Sequence, residues 1–519
     1  MRSLVVLLAL ACAVPALAAP PTNFDARVEA LRQKVGVPGM AVAIVEDGKV
    51  VLARGYGVRK LGGSEPVDAD TLFMTGSTGK AMTVAALATL VDAGKLGWDD
   101  KVADRLPGFQ MYDAWVTREM TVRDLLVHRS GLGLGAGDLL FVPHGSLSRA
   151  EIVHRLRYIK PTTSFRSGYA YDNILYTVAG ALIEAVSGQG YEDYLRDHVF
   201  KPAGMVSSTA DPAVRLATVD RAQPHARIGG TVRGLAPQRM LDEHDQLGQS
   251  SAPAGLLAIS AADMAKWLQL QLAHGKLPGG GRLFSETSSA EMWQPVTIEP
   301  IAAPPPELAG TEPSFLNYAL GWEVRDYAGA KIIWHAGGVF GFVTSVVLIP
   351  EKNVAFAITL NSEDSSLRLG LMYELLDHYL GRPPQDWPAR YAAYVERRLT
   401  TSAATVTQRA ATPAQVGPSL PLARYAGSYA DPWYGTVRVG SDAKGLAIDF
   451  TTTPGMTGRL VHWQYDSFIA RFDDPGTEPA YVTFALDADG KVERVAMKPV
   501  SPTADFSFDY QDLQLTPLK

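Results

Sequence analysis

Cysteine is all but missing from this chain. The single one, Cys12, falls near the start, so no disulfide can staple the remainder of the 519 residues. A hydrophobic content of 47% against 20% charged residues leaves ample material for an unstapled core, and the length predicts two or three domains. Long apolar runs are scarce as well. The run 4–10 is too short to span a bilayer, and nothing later is long enough, so no transmembrane segment is expected. Basic stretches are missing and the net charge is −6, which argues against nucleic acid as a partner. No cluster with metal-ligand spacing and no Gly-rich phosphate loop occurs, so neither metal nor cofactor is expected. A Gly-x-Ser-x-Gly nucleophile turn is also lacking. Its nearest relative, Gly248-Gln249-Ser250-Ser251-Ala252, has no final glycine and sits in an irregular region.

What is present begins with an address. Met1-Arg2-Ser3, the apolar run and Ala16-Leu17-Ala18 read as a secretory signal peptide over residues 1–18, which predicts a secreted or periplasmic protein. Ala9-Leu10-Ala11-Cys12 offers lipid attachment as the minor alternative.

The chemistry gathers at Thr75-Gly76-Ser77-Thr78-Gly79-Lys80, followed by the helical run 81–93 that Gly94 can stop. If Ser77 opens the helix, Lys80 lies one turn on, on the same face, with its amine within reach of the hydroxyl. A serine needs such a neighbour to take its proton, and partial burial lowers a lysine pKa toward the useful range. Free N–H groups at a helix start suit a developing oxyanion. The pattern alone is weak: Ser441-Asp442-Ala443-Lys444 repeats it, where Gly445 and the polar run predict a hairpin turn.

Around it the elements read as follows. Residues 24–35 form an amphipathic helix with Asn23 as N-cap, and the apolar runs 40–45 and 50–56 form a hairpin across Asp47-Gly48. A helix starts at 122–126 and runs toward His128, which at a helix end beside Ser130-Gly131 is read as structural rather than as a base. Tyr171 and Asn173 stand just before an apolar helix, 174–186. Residues 211–250 are irregular, which predicts a segment that shapes a substrate opening or is mobile. A helix over 258–274 takes Ser260 as N-cap and Asp263 in the capping-box position. Strands follow over 318–324, 331–334, 342–349 and 354–360, with His335 to Gly341 between the second and third, and 367–380 makes a closing helix. A helix is expected over 387–399. The stretch 386–420 is otherwise a linker, Ala, Thr, Pro and Gln-rich from 400. Short alternating runs at 436–439, 446–450, 468–472, 481–486 and 492–498 then predict a small β-barrel or sandwich over 421–519.

Three pieces thus stand in order: Ser77-x-x-Lys80, Tyr171-x-Asn173 and His335-x-Gly337. Over about residues 24–385 the chain resembles the serine β-lactamase and penicillin-binding protein superfamily in its class C branch, and His-x-Gly is similar to its esterase and D-aminopeptidase members. The flanking Leu125 to Leu132, Val199 to Met205 and Tyr318 to Trp322 fit too, and Leu422 to Tyr429 is similar to the start of the lipocalin-like domain that follows in many relatives. The resemblance implies an α+β fold: an antiparallel sheet flanked by helices, plus a helical subdomain, then a small all-β barrel. It implies Ser77 as nucleophile and Tyr171 as the base, its pKa lowered by Lys80. Asn173 would orient substrate and lysine, and the Ser77 and Gly338 N–H groups would form the oxyanion hole. His335 and Gly337 would face the substrate. His335 replaces the lysine usual in β-lactamases, and its reference pKa of about 6.5 predicts that lowering pH to about 6 charges more of it. The implied function is an exported serine hydrolase forming an acyl-enzyme on small esters or on amide or peptide substrates. A true β-lactamase or DD-peptidase, or a non-catalytic penicillin- or ligand-binding protein, is the alternative. The oligomeric state is left open.

Overall fold

The computed structural model describes residues 20–244 and 247–518; the expected leader, Cys12 included, lies outside the described residues. The helices that matter for the site are α1 (Phe24–Val35), α2 (Lys80–Asp92), α3 (Ile174–Ser187), α4 (Ala261–Leu272), α5 (Ser365–Tyr379) and α6 (Trp387–Ala411). Strands β1 (Gly39–Glu46), β2 (Lys49–Gly57), β3 (Thr297–Ile298), β4 (Leu316–Tyr318), β5 (Glu323–Tyr327), β6 (Ala330–Val339), β7 (Phe342–Ile349) and β8 (Val354–Leu360) build one antiparallel sheet in the order β2-β1-β8-β7-β6-β5-β4-β3.

Strand β1 is buried along its whole length because both its faces are covered. Met40, Val42 and Ile44 point into a core shared with Phe24 and Val28 of α1 and Leu371 of α5. Ala41, Ala43 and Val45 point into the opposite core, with Met264 and Trp267 of α4. Strand β8 splits its side chains the same way, Phe356 and Ile358 to one side, Ala355 and Ala357 to the other. Each large aliphatic side chain so buried contributes about 1.5–3 kcal/mol, which holds the sheet as a rigid floor between helical layers. The Asp47-Gly48 turn has φ of 47° and 74°, the left-handed pair of a two-residue hairpin. Asn23 stands at the N-cap of α1, but its side chain caps nothing.

Three expectations from sequence need correction. The strand expected over 318–324 is two strands, because Ala319 and Trp322 close a tight turn through Gly321 at φ 75°. His335 to Val339 is not a connection. It continues β6, pairing Gly337 with Thr344 and Gly338 with Val343. The linker is largely helical: α6 runs on to Ala411, its Pro388 sits in the tolerated first turn, and Ser402 is buried against Thr503. Composition hid this helix because docking, not propensity, completes it.

The C-terminal part is an antiparallel barrel of eight strands, nearly closed: β9 (Gly427–Asp431), β10 (Gly435–Asp442), β11 (Gly445–Phe450), β12 (Thr457–Gln464), β13 (Ser467–Phe472), β14 (Ala480–Leu486), β15 (Val492–Pro499) and β16 (Thr516–Pro517). The last strand pairs with β9, while Leu515 bridges to Val495 of β15. Sequence pattern missed β9 and β12, of which β9 is short and β12 carries exposed Val461 and His462 in its second half, and the two-residue β16. The barrel interior carries Tyr425, Phe450, Phe468 and Phe484, and its core is continuous with that of the helical layer. Among the described residues no helix is long and apolar enough to cross a membrane.

Candidate active site

Ser77 lies in a single 3-10 turn, Gly76–Gly79, which runs directly into α2. The turn is pressed against the end of β6. Gly76 has φ 56°, and a Cβ there would come 2.5 Å from the Gly338 nitrogen; a Cβ on Gly337 would come 2.0 Å from the Thr75 carbonyl oxygen. Only glycines allow these backbones to touch, and the contact brings the Ser77 and Gly338 backbones side by side, as an oxyanion hole requires.

Lys80 opens α2 and is fully buried. Its Nζ donates to Ser77 Oγ at 3.0 Å, Asn173 Oδ1 at 2.7 Å and the Ala254 carbonyl at 2.8 Å. Three acceptors match the three protons of an ammonium; an amine would keep two of these bonds and turn its lone pair to the serine. Burial pushes the Lys80 pKa down to about 7, against the attraction of Asp138 and Asp172. The Nζ also sits 4.8 Å from the centre of the Tyr171 ring and 5.0 Å from that of Tyr176.

Tyr171 and Asn173 precede α3, as the sequence indicated. The Ser77 side chain is within hydrogen-bonding reach of the Tyr171 phenol, but burial drives that phenol well above its ordinary range. The expectation that Lys80 lowers the Tyr171 pKa is therefore corrected: the Lys80 Nζ stands over the ring, and desolvation, the largest influence on the phenol, raises it. In the free site the tyrosine is a neutral phenol, and Lys80 is the neighbour of Ser77 that titrates near neutral pH. Asn173 uses both ends of its amide internally, accepting from Lys80 and donating to Asp138 Oδ2 at 2.8 Å. Burial raises Asp138 to about 7.

His128 packs under this group, its ring 4.2 Å from that of Tyr171, and its Nδ1 accepts from the Asp172 N–H at 3.2 Å. Burial lowers its pKa, so it is a neutral prop for the tyrosine.

His335 lines the cleft, yet both its nitrogens are engaged. Nδ1 must donate to the Ala336 carbonyl at 2.6 Å, which leaves Nε2 to accept from the Tyr318 hydroxyl at 2.7 Å. Burial holds it at about 3, so the expected charging of His335 near pH 6 is corrected: the imidazole stays neutral there. Gly337 touches the Ser77 turn through its backbone, as described above.

The cleft, about 350 Å³, is lined by Ser77, Tyr171, Asn173 and His335, and also by Arg368 and Phe506. Sequence reading missed the last two, and Asp138 and the Ala254 carbonyl besides. Arg368 is buried, donates to the Thr344 carbonyl and Ser345 Oγ, and is pulled down to about 10 by desolvation, so it is a cation at neutral pH.

The family described as Beta-lactamase matches residues 24–380. The chain belongs to this family. Residues 411–517 match a second family, described as a domain of unknown function (DUF3471). Among curated proteins the chain is similar to an unguisins hydrolase of Aspergillus campestris (strain IBT 28561), 31% identical over 77% of this chain and 73% of the relative. It is similar also to penicillin-binding protein 4 of Amycolatopsis lactamdurans, 32% identical over 69% and 90%. Among solved structures, the octameric penicillin-binding protein homologue from Pyrococcus abyssi shares the fold at TM-score 0.56 and 21% identity, over 95% of this chain and 99% of that one. A class C beta-lactamase does so at 0.54 and 18%, over 68% and 94%. With the family, the architecture and the hydrolase relatives in agreement, the chain is a serine hydrolase of the beta-lactamase type.

Proposed function

We propose that this hydrolase works through an acyl-enzyme on Ser77 and acts on small esters or amide-linked peptides after export. The observation that carries the reading is the Lys80 amine 3.0 Å from Ser77 Oγ, buried so that it exchanges its proton near neutral pH. Neutral Lys80 takes the serine proton as Oγ attacks the carbonyl carbon. The oxyanion that forms is held by the Ser77 and Gly338 N–H groups. The Tyr171 phenol gives its proton to the departing alkoxide or amine and regains one from the Lys80 ammonium. Water then attacks the acyl carbon, its proton passes to the tyrosine–lysine pair, and Ser77 leaves with a proton restored. No charge is created that the cleft cannot hold. Export rests on the pattern of residues 1–18 alone.

A β-lactamase or DD-peptidase reading is favoured by one observation: Arg368 gives the cleft a fixed cation, which a substrate carboxylate could meet. The deciding experiment is labelling with a fluorophosphonate or a penicillin, followed by peptide mapping. Phosphonylation of Ser77 by the first, with release of fluoride, or its acylation by the second is expected; labelling only elsewhere, or by neither probe, overturns the assignment.

A further inference from the structure

The barrel does not stand apart from the cleft. Its segment Asp505-Phe506-Ser507-Phe508-Asp509 reaches across to the turn that carries Asp138. Ser507 Oγ donates to Asp138 Oδ2 at 2.7 Å, the same oxygen that accepts from Asn173. The Asp509 carboxylate accepts from the N–H groups of Gly137 at 2.7 Å and Leu139 at 3.0 Å, the two residues that flank Asp138. A continuous chain of hydrogen bonds therefore runs from the barrel to the serine: Ser507 to Asp138, Asn173 to Asp138, Lys80 to Asn173, Lys80 to Ser77. Beside it Phe506 is 39% exposed and lines the cleft. Its ring meets that of Tyr171 edge-on at 5.9 Å. Phe506 and Ser507 also wall a second chamber of about 610 Å³ next to the cleft.

We propose that the C-terminal barrel is a working part of this active site, with Ser507 as a positioning residue that holds Asp138, and through Asn173 the Lys80–Ser77 pair, while Phe506 is the wall a substrate meets beside Tyr171. The inference rests on Ser77 being the nucleophile. Without the Ser507 hydroxyl, Asp138 loses one of two donors and Asn173 is freed to turn, so the lysine is no longer fixed on the serine. An apolar group on the substrate that extends past Tyr171 packs on Phe506 and enters the second chamber. The preferred substrates are thus acyl or peptidyl groups with an apolar side chain, not the smallest esters.

The test uses the full-length protein and p-nitrophenyl esters of graded acyl length, with labelling of Ser77 followed in parallel. Ser507→Ala is expected to slow acylation about tenfold, the scale of one hydrogen bond to a charged group. The acid limb of its kcat/KM profile is expected to shift, because Ser507 stabilises the Asp138 anion whose attraction helps Lys80 hold its proton. The charged and titratable groups around that carboxylate, Lys80, Tyr171, Asp505 and Asp509, are unchanged in the variant. Ser507→Thr keeps the hydroxyl and is expected to restore rate and profile. A purely structural role would lower the melting temperature while leaving the profile of the surviving enzyme in place, and that result overturns the positioning role. Equal losses in the Ala and Thr variants overturn it too. Phe506→Ala is expected to raise KM for the longer esters several-fold with little change for acetate; a flat response across the series overturns the wall. If wild-type Ser77 takes no label, the functional reading itself fails, and this inference with it; if it labels and Ser507→Ala labels equally fast, only the inference fails.

Discussion

The pattern Ser-x-x-Lys occurs at 77–80 and again at 441–444, and the two copies show how far surroundings alone can separate one pair of residue types. At the first, a 3-10 turn delivers the serine to the start of α2, and packing drives the lysine out of water. At the second, Ser441 is the penultimate residue of β10, Lys444 stands in the turn to β11, and both side chains are exposed. The hairpin lysine keeps its hydration. The buried lysine has lost hydration, so its proton is loosely held, and three acceptors fix the direction in which it moves. The same pattern thus yields a buried, hydrogen-bonded pair in one place and a solvated turn in the other. Desolvation is the difference.

The widest separation between the two copies should appear on deleting the hydroxyls. Ser77→Ala is expected to lower turnover of a p-nitrophenyl ester by ~10⁴-fold or more while the fold persists, on the scale of nucleophile loss in serine hydrolases. Ser441→Ala should leave turnover unchanged. Comparable losses in the two variants would erase the contrast.

Next in size are the proton carriers. Tyr171→Phe and Lys80→Met should each cost ~10²-fold or more, the range of general acid–base effects. Because both serve one proton path, the double variant should lose far less than the product of the two. Lys80 also has a stability signature of definite sign. Its folded pKa of about 7 lies below the ordinary 10.5, so between those values the unfolded chain binds more protons than the folded one. Stability from this group therefore rises as pH climbs from about 7 to 9.5. Thermal melts at pH 7 and pH 9.5 should show a smaller gap in Lys80→Met than in the wild type; an equal gap would mean the lysine is not desolvated.

Why some of this was readable from sequence and some was not follows from the range of the forces involved. Ser77, Lys80, Tyr171 and Asn173 sit at the starts of helices whose apolar periodicity is a local property, so their placement could be inferred. The double-sided burial of β1 and β8 is likewise written in their unbroken apolar runs. Asp138 shows no such signal, since it lies in a glycine-rich turn and its role arises only where Asn173 and Ser507 converge; Ser507 is 369 positions away. Arg368 reads as an ordinary arginine of an amphipathic helix until β7 places Thr344 and Ser345 beneath it. His335 was misjudged because a reference pKa cannot foresee two internal partners and full burial.

A smaller effect tests the contact that shapes the Ser77 turn. Gly337→Ala would place a methyl 2.0 Å from the Thr75 carbonyl oxygen, a backbone atom that cannot swing aside. Overpacking of this kind costs about 1–3 kcal/mol. The turn and the end of β6 must move apart, so the Ser77 and Gly338 N–H groups should spread and kcat should fall more than KM rises. The equivalent change at Gly440, with open space around it, should do neither.

The smallest expected effect concerns which charges the cleft accepts. A simple ester is neutral where it meets the wall, whereas a cephalosporin brings a carboxylate. At position 335 that carboxylate would face an imidazole held neutral down to about pH 3. The uncharged ester should therefore be favoured in kcat/KM. Any dependence on the Tyr171–Lys80 pair is common to both substrates and cancels in their ratio, so the ratio should stay flat between pH 7.5 and 5.5. Among the described residues that line the cleft, Arg368 is the fixed cation. Arg368→Met should lower cephalosporin efficiency several-fold if a carboxylate reaches the guanidinium, and leave the ester untouched. His335→Lys should move the ratio the other way. A ratio that swings toward the cephalosporin as pH falls would show that the imidazole titrates in the working range. A wild-type preference for the cephalosporin at pH 7 would make Arg368 the dominant recognition group and turn the reading toward a β-lactamase.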